Sequence, residues 1–132
     1  MVPLSLMVGE AEPRPRLQTY YIDAALDELG GQVRRALVEE LRLGEPTLPR
    51  LAARLRMSER TLQRRLSAEG TTMQAMLDDA RSEISLRRLA ESKQSIAEIS
   101  FLLGFAEVRA FHRAFKRWTG STPAAYRQSR SA

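Results

Sequence analysis

Cysteine is absent from this sequence, histidine occurs once, and no run of about 18 consecutive apolar residues is present. Without cysteine the chain cannot form a disulfide, a thiol nucleophile, a cysteine-based zinc site or an iron–sulfur cluster. The lone histidine, His112, does not supply the ligand set of a stable zinc site. The apolar opening MVPLSLMV lacks the basic region and the cleavage site of a signal peptide. We therefore expect a soluble cytoplasmic protein with no cofactor, no metal and no membrane partner.

Acidic residues are also scarce beyond the first third of the chain. Residues 1–46 hold five Arg and eight Asp or Glu (net −3), whereas residues 47–132 hold sixteen Lys or Arg and eight Asp or Glu (net +8), which together give the +5 of the whole chain. Of the 21 basic residues only Lys93 and Lys116 are lysines. A forked guanidinium suits phosphate and guanine recognition, although a GC-rich genome would produce the same arginine bias.

Helical periodicity and turn residues divide the chain into short helices. Residues 1–21 lack a period and contain PRPR, which predicts a flexible tail or linker remnant, and residues 22–132 are predicted to form one all-α domain. An apolar stripe after the N-cap Asp23 predicts one kinked helix or two short ones, because Gly30 and Gly31 interrupt it. Capping and stop residues then predict a first helix-turn-helix at about 47–70, a long linker helix at about 72–92, a second helix-turn-helix at about 95–119 and a final short helix at about 123–128.

The two predicted helix pairs repeat one pattern. At an offset of 48, Leu48, Leu51, Leu55 and Met57 map onto Ile96, Ile99, Leu103 and Phe105; at an offset of 49, Arg60, Leu62, Gln63, Arg64 and Leu66 map onto Arg109, Phe111, His112, Arg113 and Phe115. A shared core explains the apolar matches. The polar residues Arg60, Gln63 and Arg64 lie on the opposite side of the helix and repeat as Arg109, His112 and Arg113. Core packing does not require this polar repeat.

A repeated polar helix face suits the major groove of DNA, where Arg bonds guanine, Gln pairs with adenine and basic groups hold phosphates. The candidate DNA-binding residues are Arg60, Gln63 and Arg64 in the first unit and Val108, Arg109, His112, Arg113 and Lys116 in the second. Val108 would contact a thymine methyl group and Lys116 a phosphate. The predicted linker helix is about 30 Å long, close to the roughly 34 Å between successive major-groove segments on one side of B-DNA.

Three stretches carry a resemblance to a known family. They are LPRLAARLRMSERTLQRRLSAEGTT, the linking helix with Arg81, and SIAEISFLLGFAEVRAFHRAFKRWTGSTPAAYR. Over roughly residues 33–128 the chain resembles the C-terminal DNA-binding domain of AraC/XylS-type bacterial transcription regulators. The resemblance implies two helix-turn-helix units joined by a long helix, with recognition helices at about 58–69 and 107–118. It also implies a regulator that usually activates transcription and often contacts RNA polymerase.

The sequence departs from the family pattern at several positions. Arg56 stands where the first turn often has Gly, and Ser85 and Ser100 stand where Ala is usual, so slightly loose local packing is expected. Val108 and Arg109 replace small polar residues, which leaves the sequence of the second half-site open. Only about 30 residues precede the match, so both an excised DNA-binding half and a naturally short regulator stay open.

Each candidate residue also has a structural interpretation. The polar faces are also consistent with ordinary solvated helix surface. For Arg65, both a phosphate contact and a role in solubility stay open. Arg87 and Arg88 either lie near the DNA backbone or are simply exposed. Arg81 is expected to form an ion pair or a helix cap rather than read bases. The helical spacing of Phe111, Phe115 and Trp118 predicts core rather than base stacking, with Tyr126 packed over them.

Enzymatic activity is not expected. The sequence has no Ser–His–acid order, phosphate loop or metal cluster, and the lack of cysteine excludes alkyl transfer to a thiol. The prediction is sequence-specific binding of double-stranded DNA to regulate transcription, with activation the expected outcome and RNA polymerase an open second partner. A monomer is expected for the chain as given, and a dimer if an N-terminal domain is present. The alternative is a protein-interaction module that modulates a full-length regulator or RNA polymerase without reading DNA.

Overall fold

The computed structural model describes residues 28–130, which fold into seven helices and no strand. The helices are α1 (Leu29–Leu41), α2 (Leu48–Arg54), α3 (Glu59–Ala68), α4 (Met73–Glu91), α5 (Ile96–Leu102), α6 (Val108–Thr119) and α7 (Pro123–Arg130). The predicted all-α class, with two helix-turn-helix subdomains joined by a long linker helix, is confirmed. We call α2 and α3 the first unit and α5 and α6 the second unit. None of these seven helices is long and apolar enough to cross a membrane.

The predicted interruption at Gly30 and Gly31 falls at the start of helix α1, and the part of the apolar stripe that precedes it, residues 23–27, lies outside the described residues. Gly30 and Gly31 lie in the first turn of a continuous helix and do not divide the segment from Leu29 to Leu41. The predicted N-cap Asp23 and the predicted tail at residues 1–21 lie outside the described residues, and the division between tail and domain stays a prediction.

Side-chain caps fix where the short helices begin. Ser58 Oγ accepts a hydrogen bond from the backbone N–H of Thr61 at 3.0 Å, and Thr72 Oγ1 does the same for Ala75. Ser95 forms a reciprocal capping box with Glu98, at 3.0 and 2.8 Å. Thr47 Oγ1 caps α2 by accepting a hydrogen bond from the backbone N–H of Arg50 at 3.3 Å. Such a cap contributes about 1 kcal/mol, which matters for helices α2 and α5 because each has only seven residues.

Two hydrophobic cores lie along the linker helix α4. The first contains Leu29, Val33, Ala36, Leu37, Leu41, Leu51, Ala52, Leu62, Leu66 and Leu77, and the second contains Leu89, Ile99, Leu103, Phe111 and Phe115. Ile84, in the middle of α4, packs against both. Each unit therefore has its own core, and α4 contributes to each.

The aromatic side chains of the second core pack as predicted. Phe115 makes edge contacts with Phe111 and Tyr126, with ring centroids 5.8 Å apart in both pairs, and with Trp118 at 6.4 Å. Phe111 and Phe115 are fully buried. Because their rings are enclosed by other side chains, these residues are not available for base stacking.

A buried carboxylate joins α1 to α2. Glu40 is 4% exposed and accepts hydrogen bonds from Arg50 Nε and Arg54 Nε, both at 2.8 Å. The hydrogen bond from Arg50 is the largest influence that lowers the pKa of Glu40 below its ordinary value of 4.5; burial opposes it. This three-residue cluster holds the first helix of the first unit against α1.

Two arginines hold helix C-termini in the second half of the domain. Arg81, on α4, is buried and donates from Nε to the carbonyl oxygen of Leu103 at 2.8 Å, so its predicted capping role is confirmed. Arg127, on α7, donates to the carbonyl oxygens of Leu89 and Ser92 at 3.1 and 3.2 Å. These bonds satisfy carbonyl groups that a helix end leaves without partners.

Candidate nucleic-acid interface

Helix α3 separates an apolar side from a polar side. Leu62 and Leu66 are buried in the first core, whereas Arg60, Gln63 and Arg64 are exposed. Residues three and four positions apart share one side of a helix, so these three side chains form one surface. We call it the first polar face. It lies opposite the core contacts, as the sequence pattern predicts.

Helix α6 repeats this arrangement. Phe111, Ala114 and Phe115 are buried, and Arg109, His112 and Arg113 are exposed and form the second polar face. At the two ends of this face, Val108 is 38% exposed and Lys116 is also exposed. The imidazole ring of His112 lies edge-on to Phe111, with centroids 6.4 Å apart. All eight candidate residues therefore lie on the surfaces of two corresponding helices.

The cations of the two faces have no intramolecular partner within residues 28–130. There, the side chains of Arg60, Arg64, Arg109, Arg113 and Lys116 form neither a hydrogen bond nor an ion pair. Arg50 and Arg54 on α2, in contrast, bind a carboxylate, and Arg81 on α4 and Arg127 on α7 bind backbone carbonyl oxygens. Unpaired cations on a surface are available to phosphates and to base edges.

The turns of the two units have the same backbone conformation. Arg56 and Gly104, which are 48 positions apart, have positive φ angles of 60° and 82°. The following residues donate equivalent backbone hydrogen bonds, from Met57 to Ala52 at 3.0 Å and from Phe105 to Ser100 at 3.2 Å. Arginine thus adopts the left-handed conformation that glycine favours, and the turn geometry is kept despite the departure at Arg56.

The comparisons with known proteins agree with this geometry. A family model described as a helix-turn-helix domain matches residues 51–129. The solved DNA-binding domain of AdpA, a global transcriptional factor in complex with a target DNA, superposes with a TM-score of 0.65 at 33% identity, covering 76% of this chain and 90% of that one. The chain belongs to the AraC-type helix-turn-helix family. Its predicted relation to the DNA-binding domains of bacterial transcription regulators is confirmed.

Two further relatives of this AraC-type domain come from Pseudomonas aeruginosa. The ornithine utilization regulator is 42% identical over 99 residues, which cover 74% of this chain and 29% of the relative. The structure of transcriptional regulator CdpR has a TM-score of 0.66 at 34% identity, covering 80% of this chain and 34% of that one. The chain spans between 24% and 29% of the length of the first curated relatives that it matches.

The two serines that were expected to loosen local packing are both buried. Ser85, on α4, is fully buried and donates a hydrogen bond from Oγ to the carbonyl oxygen of Ser82 at 2.8 Å. Ser100, on α5, is 1% exposed. Both residues lie in regular helix, so serine is accommodated at these positions.

The remaining arginines outside the polar faces of the AraC-type domain differ in their contacts. Arg65 is exposed, Arg87 lies 3.5 Å from Glu83, and Arg88 donates to Gln94 at 3.0 Å. The helix cap formed by Arg127 was not predicted from the sequence. Its position in the closing YR of the family pattern was the available signal, but the pattern does not give the carbonyl groups that it binds.

Proposed function

We propose that this AraC-type domain binds double-stranded DNA sequence-specifically, with α3 and α6 in successive major-groove segments of a site of about 15–20 base pairs. The observation that carries the proposal is the pair of polar faces. They repeat at equivalent positions, they lie opposite the buried cores, and their cations have no partner within the described chain. Binding to a polyanion would supply partners to all of these groups.

Within this proposal each residue type has a defined contact. Arg60, Arg64, Arg109 and Arg113 read guanine O6 and N7 or bind phosphate, and Gln63 pairs with adenine. In the second unit, His112 contacts a base or a phosphate, Val108 a thymine methyl group and Lys116 a phosphate. The two faces differ in composition, so we expect two half-sites with different sequences rather than a palindrome.

The length of α4 supports simultaneous binding by both units. Its nineteen residues span about 28 Å at roughly 1.5 Å per residue, compared with the roughly 34 Å between successive major-groove segments. The two recognition helices, α3 and α6, follow structurally equivalent turns at Arg56 and Gly104. A single copy of the chain therefore has the dimensions to read both half-sites from one side of the duplex.

The domain's proposed cellular role is transcription regulation in the bacterial cytoplasm, by activation. The family's regulators bind DNA and are not enzymes, and the AdpA domain was solved with a target DNA. RNA polymerase is the proposed protein partner. The exposed apolar side chains of α5 support a protein contact, since Phe101 is 79% exposed and Leu102 44%. We propose a monomer for the chain as given, and a dimer when an N-terminal domain is present.

The first test is in vitro selection from random duplex DNA with the purified chain at about 150 mM salt. We expect two conserved blocks about 10 base pairs apart, because one helical turn separates equivalent major-groove positions. A single enriched block would contradict paired readout.

The absence of any enriched sequence would favour the second candidate function. That candidate is an interaction module which modulates a full-length regulator or RNA polymerase without reading DNA, and it is favoured by the exposure of Phe101. A Phe101→Ser variant tests the protein contact separately. We expect unchanged DNA binding and reduced transcription by purified RNA polymerase from a promoter carrying the selected site; unchanged transcription would contradict a contact through Phe101.

A further inference from the structure

We infer that Gly104 and Arg81 set the distance between the two recognition helices and thereby select the spacing of the two DNA half-sites. This inference rests on the proposed function, because spacing has meaning only if both units read DNA. We call the contact among Leu41, Gly44, Arg81 and Gly104 the inter-unit seam. It joins the turn of the second unit to the end of α1 and to α4.

Gly104 lies against the first half of the domain with no room for a side chain. A Cβ atom at Gly104 would lie 2.7 Å from the carbonyl oxygen of Gly44 and 3.1 Å from Leu41 Cδ2. Leu41 belongs to the first core, and Gly44 lies in the loop between α1 and α2. Because the nearest atom is a backbone carbonyl oxygen, it cannot move aside by a change of rotamer.

Arg81 also binds the same turn. Its guanidinium group donates to the carbonyl oxygens of Leu103 and Gly104 at 2.8 and 3.3 Å, and its Cζ lies 4.1 Å from the centre of the Phe105 ring. Burial lowers the pKa of Arg81 below its ordinary value, and the charges of Glu45 and Asp78 oppose this effect. The planar fork spans two adjacent carbonyl groups, which a lysine ammonium cannot do in the same geometry.

The seam controls α6 because the turn leads directly into that helix. Only residues 105–107 separate Gly104 from Val108, the first residue of α6. A displacement of the turn away from Gly44 would therefore carry the second recognition helix away from the first unit. The position and direction of α6 relative to α3 decide which two base-pair steps the helices reach together.

Other positions in the chain provide matched controls. Gly70 and Gly120 have φ angles of 79° and 81°, close to the 82° of Gly104, but a Cβ atom at either would meet nothing within 4 Å. Alanine at these positions introduces the same backbone strain without steric contact. Arg56, the residue equivalent to Gly104 in the first unit, is exposed, so the first turn has no corresponding seam.

The experiment compares DNA sites that differ only in half-site spacing. The operator is first obtained by selection with the wild-type chain, and variants with one base pair inserted or removed between the two blocks are then prepared. For each protein, the ratio of the Kd for an altered site to the Kd for the original site measures the spacing penalty. We expect this Kd ratio to be at least threefold smaller for Gly104→Ala than for the wild-type chain, or to fall below one. The base preference within each block should be unchanged.

Gly70→Ala and Gly120→Ala are expected to keep the wild-type spacing penalty, even if their melting temperatures fall as much as that of Gly104→Ala. Arg81→Lys keeps the positive charge but loses the planar guanidinium group. We expect this variant also to have a smaller spacing penalty than the wild-type chain. If circular dichroism shows Gly104→Ala to be unfolded, Arg81→Lys decides the question.

A wild-type penalty in Gly104→Ala and Arg81→Lys would overturn the seam proposal. An equal change in the Gly70→Ala and Gly120→Ala controls would also overturn it, since backbone strain alone would then explain the effect. Failure of the proposed function is distinguishable from both results, because the wild-type chain would then enrich no pair of blocks in the initial selection.

Discussion

Replacing Glu40 by glutamine tests the buried cluster that joins α1 to α2. The Glu40 carboxylate is 4% exposed and contacts Arg50 Nε at 2.8 Å and Arg54 Nη2 at 2.6 Å. A buried charge-assisted hydrogen bond contributes about 1.5–3 kcal/mol. The two arginine side chains are 56% and 38% exposed, so solvent screening reduces this figure and the freed guanidinium groups can be hydrated.

We expect Glu40→Gln to lower the free energy of unfolding at pH 7 by about 2 kcal/mol, which corresponds to a fall in Tm of roughly 8–15 °C for a domain of this size. The measurement is urea and thermal unfolding followed by circular dichroism. Glu39→Gln is the control, because the Glu39 side chain is 53% exposed and lies 3.4 Å from Arg42. For this exposed pair we expect a change below about 0.5 kcal/mol.

The pH dependence supplies a second check. The folded-state pKa of Glu40 is lowered, so its stabilisation is present above the ordinary value of 4.5 and is lost as the pH falls through the folded-state pKa. The stability difference between wild type and Glu40→Gln should therefore be constant from pH 7 down to about 4.5 and shrink below it. Equal stability at pH 7, or a difference that does not shrink in acid, would refute the reasoning.

Three further predictions concern the polar faces and the first turn. Arg64→Ala and Arg113→Ala should each cost about 1–3 kcal/mol of binding and relax the preference at one base pair; unaltered preference in both selections would contradict their assignment as base readers. Lys116→Ala should weaken binding to all sequences alike and reduce the slope of log Kd against log salt by about 1, whereas a change in base preference would contradict a phosphate contact. Arg56→Gly should raise the free energy of unfolding by about 0.5–1 kcal/mol because the φ of 60° disfavours a side chain, and a lower Tm would oppose this explanation.

Local signals in the sequence predict much of this fold. Ser58 and Ser95 were recognisable as N-caps because a short hydroxyl side chain precedes each apolar helical period, and both accept the expected bond from the backbone. The repeat relating Arg64 to Arg113 predicted two corresponding faces. These features depend on residues a few positions apart, where helical geometry fixes the relation between the side chains.

Contacts between distant segments were not predictable in the same way. Gly104 approaches the carbonyl oxygen of Gly44, and Arg127 binds carbonyl oxygens at the end of α4. The carboxylate of Glu40 meets two arginines 10 and 14 positions further along the chain. Neither periodicity nor charge pattern specifies which helices pack together, so the partners of these residues could not be predicted from the sequence.

The packing of Ile84 against both cores has a consequence for how the domain unfolds. The residue lies in the middle of a continuous nineteen-residue helix, and the loss of either core removes part of its support. The two halves should therefore unfold in a single cooperative transition rather than as independent modules. Binding of one unit to its DNA half-site would then slow amide hydrogen exchange in the other unit as well, because fraying of α4 is coupled to the stability of both cores.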